Sequence, residues 1–121
     1  MVTVVHAPLV SITLNSRHFQ WYSLDSALPS LASPIDLLMI DGPPQHSSES
    51  ETARFPAFPI LNNRLSARAI VFVDDAARIN EKAMIAEWLK MDSSWEAEFF
   101  NTVDGVTILS RPLDSGTSTL C

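Results

Sequence analysis

Short apolar runs recur along the chain between polar turns, and their lengths predict strands that alternate with helices. Three runs rich in β-branched and other apolar side chains, typical of buried strands, are residues 2–9, 35–40 and 69–73. Residues 11–22 alternate on either side of the polar segment Asn15-Ser16-Arg17, and this pattern predicts a hairpin. Residues 25–31 are expected to form one or two helical turns, which Pro29 keeps short.

Two longer segments carry apolar residues at helical spacing. Residues 56–65 predict a helix, because Phe58, Leu61 and Leu65 fall on one face and the prolines suit its first turn. Residues 81–91 predict a second helix that begins after Asn80 as its N-cap. The stripe expected to be buried on this second helix consists of Met84, Ile85, Trp88 and Leu89.

The last part of the chain predicts two strands that pair with each other. Residues 95–103 and 105–110 are the strands, and Asp104-Gly105 between them signals a tight two-residue turn. Strands that alternate with helices imply parallel pairing with right-handed crossovers. The prediction is therefore an α/β fold with a mostly parallel sheet and a C-terminal antiparallel hairpin. One domain is expected over residues 1–112, with a flexible tail over 113–121.

Composition narrows the class of protein. The apolar fraction of 46% and the charged fraction of 18% suit a globular core, and the net charge of −6 argues against nucleic-acid binding. A single cysteine, Cys121, cannot form an internal disulfide, and neither a signal peptide nor a membrane-spanning run is evident. A cytoplasmic location without membrane attachment is the expectation. The three glycines are far apart, so no glycine-rich phosphate or nucleotide loop is predicted.

Taken together, these segments resemble the C-terminal part of class I S-adenosylmethionine-dependent methyltransferases. Residues 35–44, with the turn Asp41-Gly42-Pro43-Pro44, resemble the fourth strand of that family and its acceptor-side loop. Residues 69–76 resemble the fifth strand with its Asp-Asp-Ala end, and the final hairpin resembles strands six and seven. The remaining correspondences are residues 2–9 with strand three and residues 54–61 and 81–88 with the two helices.

The resemblance implies a methyl transfer from S-adenosylmethionine to an oxygen or nitrogen of a small-molecule acceptor. Strands one and two, which hold the cofactor in the family, have no counterpart in this sequence. The family strand order is 3-2-1-4-5-7-6, so strand four is expected to present an exposed apolar edge that invites self-association. The alternative is a non-catalytic fragment that acts as an interaction module or as a partner-dependent subunit.

Carboxylates at two neighbouring strand ends are the strongest candidates for chemistry. Asp41 ends one predicted strand, and Asp74 and Asp75 end the next, at the sheet edge where open α/β folds bind ligands. Such oxygens can hold Mg²⁺ or Ca²⁺, and the set resembles the metal site of catechol O-methyltransferase-like enzymes. The alternative is that Asp41 orders a turn and Asp75 caps a helical turn.

Four further residues are candidates for binding or catalysis. His46 lies in the loop after Asp41 and is a candidate general base, although a loop histidine is often simply solvated. The resemblance implies that His6 lies where the family packs the cofactor adenine, with a purely structural strand-end role as the alternative. Trp21 and Tyr22 are expected either to belong to the core or to line the acceptor pocket.

Overall fold

The computed structural model describes residues 4–27, 34–42, 53–74, 76 and 79–112, which form two sheets and three α-helices. A 3₁₀ turn, Asn62–Arg64, follows the second helix. In chain order the elements are β1 (Leu9–Leu14), β2 (Arg17–Tyr22), α1 (Leu24–Ala27), β3 (Ile35–Ile40), α2 (Ala57–Leu61), β4 (Leu65–Asp74), α3 (Ile79–Met91), β5 (Glu96–Phe100) and β6 (Val106–Ser110).

The predicted hairpin over residues 11–22 is confirmed, and its turn is set by two residues. Leu14 pairs with Arg17, which leaves Asn15 and Ser16 as a two-residue loop. Both have positive φ angles, 51° and 65°. A two-residue loop with this backbone matches the twist of the flanking strands, and Asn tolerates it better than most residues.

The second sheet has four strands in the order β3-β4-β6-β5. β3 and β4 are parallel, with Leu38 opposite Val71, as the two apolar runs predicted. β6 is antiparallel to β4 on one side and to β5 on the other. The four predicted segments therefore share one sheet with the expected relative directions.

The prediction of a mostly parallel Rossmann-like sheet is wrong. Only one of the three strand pairs in the larger sheet is parallel, and β1 and β2 form a separate antiparallel sheet. The predicted strand over residues 2–9 is also wrong, because residues 4–8 are irregular and β1 begins only at Leu9. The turn at Asn15-Ser16 pairs β1 with β2, its neighbour in sequence, and these two strands form a sheet of their own. The backbone N–H of Ser23 donates to the Pro8 carbonyl (2.8 Å) and closes this hairpin at its base.

The turn between β5 and β6 is longer than predicted. Phe100 pairs with Val106, so residues 101–105 form a five-residue loop and not a two-residue turn at Asp104-Gly105. Gly105 takes a φ of 76°, where a side chain would be strained. Its carbonyl accepts a hydrogen bond from the Ala76 N–H at 3.0 Å, which fastens the loop beside the end of β4.

The helices follow the predicted order with shifted ends. The helix predicted over residues 56–65 ends at Leu61, because Leu65 is already the first, buried residue of β4. α3 keeps its predicted stripe, with Met84, Ile85 and Trp88 buried and Leu89 packed against the core. None of the helices within the described ranges combines the length and apolar character needed to cross a bilayer.

The two faces of the four-stranded sheet differ in burial. On the covered face Val71, Val73 and Leu109 are fully buried, beside the helices. On the opposite face, called here the open face, Leu37, Met39 and Ile70 are 59%, 63% and 43% exposed. Aromatic rings fill the space on the covered side: Trp88 lies 5.5 Å from Phe58 and 6.5 Å from Phe55, Phe58 lies 5.5 Å from Trp95, and Phe19 lies 5.4 Å from Phe55, measured between ring centroids.

Candidate functional site

The carboxyl ends of β3 and β4 lie side by side. Ile40 pairs with Val73, so the next residues along the two strands are Asp41 and Asp74. Arg54 lies between these strand ends and is only 4% exposed. Its Nη1 donates to the Asp74 carbonyl at 3.3 Å, and its Nη2 donates to the Asp41 carbonyl at 3.4 Å. A single buried guanidinium therefore ties the two strand ends together.

The segment before α2 fixes the position of Arg54. The Ala57 N–H donates to the Arg54 carbonyl at 3.1 Å, which makes a turn at residues 54–57. Phe55 and Phe58 follow and are fully buried, and the Trp88 indole N–H donates to the Phe55 carbonyl at 3.0 Å. These contacts fix the backbone from which the Arg54 side chain extends. The planar fork of arginine, with donors on separate nitrogens, suits the bridging of two acceptors.

A cleft of about 420 Å³ opens beside the end of β3. It is lined by residues 38–40 of β3 with Asp41 and Gly42 just beyond the strand. The hairpin contributes Trp21 and Tyr22 to the lining, and α2 contributes Ala57 and Leu61. The walls are mostly apolar, and Asp41 is the one charged residue among the described residues that line the cleft. A mostly apolar cleft with few polar groups is typical of a small-molecule site.

The hairpin and the end of β3 approach each other closely at Gly42. A Cβ atom added at Gly42 would lie 2.6 Å from the hydroxyl oxygen of Tyr22. Any other residue at this position would therefore displace the Tyr22 ring. A side chain at position 42 would therefore change the width of the cleft, since Tyr22 lines it.

Comparison with known proteins gives no match for this chain among family models, curated proteins or solved structures. Its function must therefore be argued from the geometry and chemistry of its own residues.

The structure places the two carboxylates that it describes at the predicted edge. Asp41 is exposed and Asp74 is half-buried, on adjacent strand ends. The two other predicted residues of this edge, Asp75 and His46, lie outside the described residues. Within the ranges that the structure covers, no group of three or more His, Cys, Asp or Glu side chains could hold a metal ion. The three-carboxylate site with Asp75 therefore stays a prediction.

The remaining candidates separate into two cases. His6 is exposed in the irregular segment before β1 and does not line the cleft, so its cofactor role stays a prediction. Trp21 belongs to the core at 6% exposure, and Tyr22 packs against the core; both residues also line the cleft, whose use as an acceptor pocket stays a prediction.

The sequence analysis did not predict that two charged residues are buried. Arg54 is buried, and its only sequence signal is its closeness to the acidic turn at Asp41. Glu81 is also fully buried, and the spacing of apolar residues in the sequence could have predicted this burial. It precedes Met84, Ile85 and Trp88 by three, four and seven residues, which places it on the buried face of α3.

Proposed function

We propose that the chain carries the acceptor-binding part of an S-adenosylmethionine-dependent methyl-transfer domain and that it does not transfer methyl groups by itself. The observation that carries the proposal is the cleft at the carboxyl end of β3, which is lined by Trp21, Tyr22 and Asp41. Ligands of open α/β sheets bind at this end of the strands. The acceptor that suits the cleft is small, planar and apolar, with one polar group directed at the strand end.

The strand order supports the same proposal. The resemblance assigns β3, β4, β6 and β5 to the family strands four, five, seven and six, and these neighbours occur in that order in the sheet. The family grips its cofactor on a glycine-rich turn, whereas the three glycines here are isolated at positions 42, 105 and 116. The cofactor part of the site is therefore proposed to come from elsewhere. We also propose a cytoplasmic location, because the lone Cys121 cannot form an internal disulfide.

A divalent ion is proposed only for a three-carboxylate arrangement of Asp41, Asp74 and Asp75. The buried guanidinium of Arg54 contacts the carbonyls of Asp41 and Asp74, and its positive charge opposes a cation nearby. Two carboxylates beside one guanidinium carry a net charge of only −1, and a third carboxylate raises this to −2, which favours a divalent cation. Mg²⁺ or Ca²⁺ held there would lower the pKa of an acceptor hydroxyl, and His46 is the proposed base.

Indole N–H signals test the acceptor site, because the three tryptophans occupy different places. Catechol titrated into ¹⁵N-labelled protein should shift the Trp21 signal, since Trp21 lines the cleft. Trp88 serves as the internal control, because its N–H is engaged by the Phe55 carbonyl in the core. Repeating the titration with Mg²⁺ tests the ion, and Asp41→Asn and Asp74→Asn should remove any Mg²⁺ dependence. An unchanged Trp21 signal at about 10 mM catechol, where even millimolar affinity would saturate the site, would contradict the acceptor proposal.

A second candidate function is that of a partner-dependent interaction module. It is favoured by the outer edge of β3, which pairs with no strand among the described residues. Leu37 and Met39 on this strand are more than half exposed, at 59% and 63%. Unpaired strand edges bind extended segments of other chains through backbone hydrogen bonds. A synthetic peptide with the sequence of residues 35–40 between flanking lysines should shift the amide signals of β3, and no shift there would contradict this candidate.

A further inference from the structure

The lining of the cleft beside β3 combines aromatic rings with one negative charge. Trp21 and Tyr22 line it together with Asp41, and the part of the lining that the structure describes contains no lysine or arginine. Its other side chains are aliphatic. This carboxylate repels an anion and can only accept a hydrogen bond from a neutral hydroxyl, whereas it attracts a cation through its full charge. The lining therefore favours a positively charged ligand.

The aromatic side chains approach Asp41 at the end of β3. A Cβ atom added at Gly42 would lie 2.6 Å from the Tyr22 hydroxyl oxygen, so Tyr22 reaches the residue next to Asp41. The Trp21 and Tyr22 rings have centroids 5.1 Å apart, with their planes inclined at 65°. The face of an aromatic ring attracts a cation within about 6 Å of its centroid, and indole does so best. A small cation beside Asp41 therefore gains from the rings as well as from the carboxylate.

The charge around the two strand ends matches a single positive charge. The Arg54 guanidinium contacts the carbonyls of Asp41 and Asp74, and these three side chains together carry a net charge of −1. A monovalent ammonium ion neutralises that charge, whereas a divalent ion without a third carboxylate leaves an excess of positive charge. The net charge of −6 on the whole chain adds a long-range attraction for cations.

We propose that the cleft binds a protonated arylalkylamine, with its ammonium group at Asp41 and its ring among the apolar side chains of the lining. This inference rests on the proposed acceptor cleft and names the class of molecule that it takes. A volume of about 420 Å³ lies at the lower end of the range of small-molecule sites, which suits one ring with a short side chain. A nitrogen must be uncharged when it accepts a methyl group, so the bound ammonium would first release one proton to water.

A matched pair of ligands tests this selectivity. Benzylamine is protonated at pH 7, as alkylamines are, and benzyl alcohol has nearly the same shape without the charge. Each is titrated into the ¹⁵N-labelled whole chain, where the Trp21 indole N–H reports binding and that of Trp88 is the internal reference. Benzylammonium should bind about five- to tenfold more tightly than benzyl alcohol. Equal affinities, or tighter binding of the alcohol, would overturn the inference.

Two carboxylate substitutions separate contact with Asp41 from general attraction to an acidic protein. Asp41→Asn should bring the two affinities to within about twofold of each other, because it removes the one charge of the described lining. Asp36→Asn is the matched control, since it removes the same charge from an exposed position of β3 that does not line the cleft. It should leave the preference for benzylammonium intact. Equal losses in the two variants would contradict a contact at Asp41.

A second pair of substitutions tests the aromatic contribution. Tyr22→Leu removes the ring and should lower the preference for benzylammonium by about two- to fivefold. Tyr22→Phe keeps the ring and is the matched control, so it should retain most of the preference. A preference that survives Tyr22→Leu unchanged would show that the Tyr22 ring does not contact the cation.

Catechol separates a failure of this inference from a failure of the proposed function. If catechol and benzyl alcohol shift the Trp21 signal and benzylammonium binds no better, selection of a cation is overturned while the acceptor cleft stays supported. If none of the three ligands shifts the Trp21 signal, the acceptor cleft itself is contradicted and this inference with it.

Discussion

At the residue scale, Arg54 is the group on which the candidate site depends. It is buried, and it joins the main chains of two strands just beyond the end of their backbone pairing at Ile40 and Val73. A buried charge is costly unless its donors are satisfied. The carbonyls of both strand ends accept hydrogen bonds from Arg54 and so satisfy donors of the buried guanidinium.

Replacing Arg54 should therefore destabilise the fold strongly. Arg54→Ala removes a buried guanidinium and its hydrogen bonds to the carbonyls of Asp41 and Asp74, and it should lower the free energy of unfolding by about 2–4 kcal/mol. Arg54→Lys should recover only part of this, because an ammonium group cannot bridge two separate acceptors in the same way. Arg68→Ala, at an exposed position of β4, is the control and should change the free energy of unfolding by less than about 0.5 kcal/mol. Urea unfolding measures all three, and equal values for Arg54→Ala and Arg68→Ala would contradict this role.

A second residue-scale prediction concerns pH and Asp92 after α3. The Ser94 hydroxyl donates to this carboxylate at 2.6 Å and lowers its pKa, helped by the Ser94 N–H and by Asn62, although partial burial opposes the shift. A lowered pKa in the folded state stabilises the protein above the unfolded-state pKa, near 3.8, and this gain is lost as the pH falls through the folded value.

The Asp92→Asn variant should accordingly be less stable than the parent protein at pH 7 by about 1–2 kcal/mol. This difference in the free energy of unfolding should stay constant down to about pH 5 and become smaller below about pH 4. Glu96→Gln on exposed β5 is the control. Unfolding curves collected from pH 7 to pH 3 measure the effect, and a gap that widens towards low pH would contradict the assignment.

At the element scale, the β1–β2 hairpin docks by stacking more than by charge. Phe19 stacks on Phe55 with ring centroids 5.4 Å apart, and Arg17 lies over the same Phe55 ring at 4.6 Å. Arg17 also pairs with Glu87 of α3 at 2.9 Å, but both side chains of this ion pair are well exposed, at 39% and 47%. Exposed ion pairs contribute little, whereas a buried aromatic ring contributes several kcal/mol.

Phe19→Ala should thus lower the free energy of unfolding by about 3–4 kcal/mol. Glu87→Ala should lower it by less than about 1 kcal/mol. Hydrogen exchange is the sharper measurement, because Phe19→Ala should raise the exchange of β1 and β2 amides more than that of β4 and β6. Gln20→Ala, on the exposed side of β2, is the control for a change within the hairpin. A larger loss from Glu87→Ala than from Phe19→Ala would show that charge dominates the docking.

Elements with strong local signals were predictable from sequence, and those decided by distant contacts were not. The α3 stripe and the strands β3, β4 and β6 followed from apolar spacing. The β5–β6 loop was predicted too short, because the hydrogen bond from Ala76 to the Gly105 carbonyl is not visible in the dipeptide Asp104-Gly105. The strand predicted over residues 2–9 was wrong, since residues 4–8 are irregular and an apolar run alone does not fix where a strand begins.

The candidate site also combines features that local sequence predicted with features that depend on distant contacts. Asp41 and Asp74 were predicted at neighbouring strand ends because parallel strands finish at one edge. The tie through Arg54 was not predicted, since a basic residue in a loop is usually exposed. The closeness of Tyr22 to Gly42 also depends on how the hairpin docks, which is a tertiary contact.

At the scale of the whole molecule, the chain presents an acceptor-side cleft without a glycine-rich turn. Isothermal titration with S-adenosylmethionine should accordingly show no binding tighter than about 1 mM, or about 4 kcal/mol. Catechol titrated under the same conditions is the comparison, because the proposed acceptor cleft is present. Micromolar binding of S-adenosylmethionine by this chain would mean that it holds a cofactor site of another design.

The position of β3 in the chain has a consequence during synthesis. Leu37 pairs with Ile70, so about 30 residues must be translated after β3 before its neighbour in the sheet exists. At about 5–20 residues per second, this takes roughly 2–6 s. Throughout that interval both edges of an apolar six-residue segment are available to any other nascent chain. The rate of translation between residues 40 and 70 should therefore influence how much of the protein reaches its native state, and a chaperone that holds extended apolar segments should bind here first.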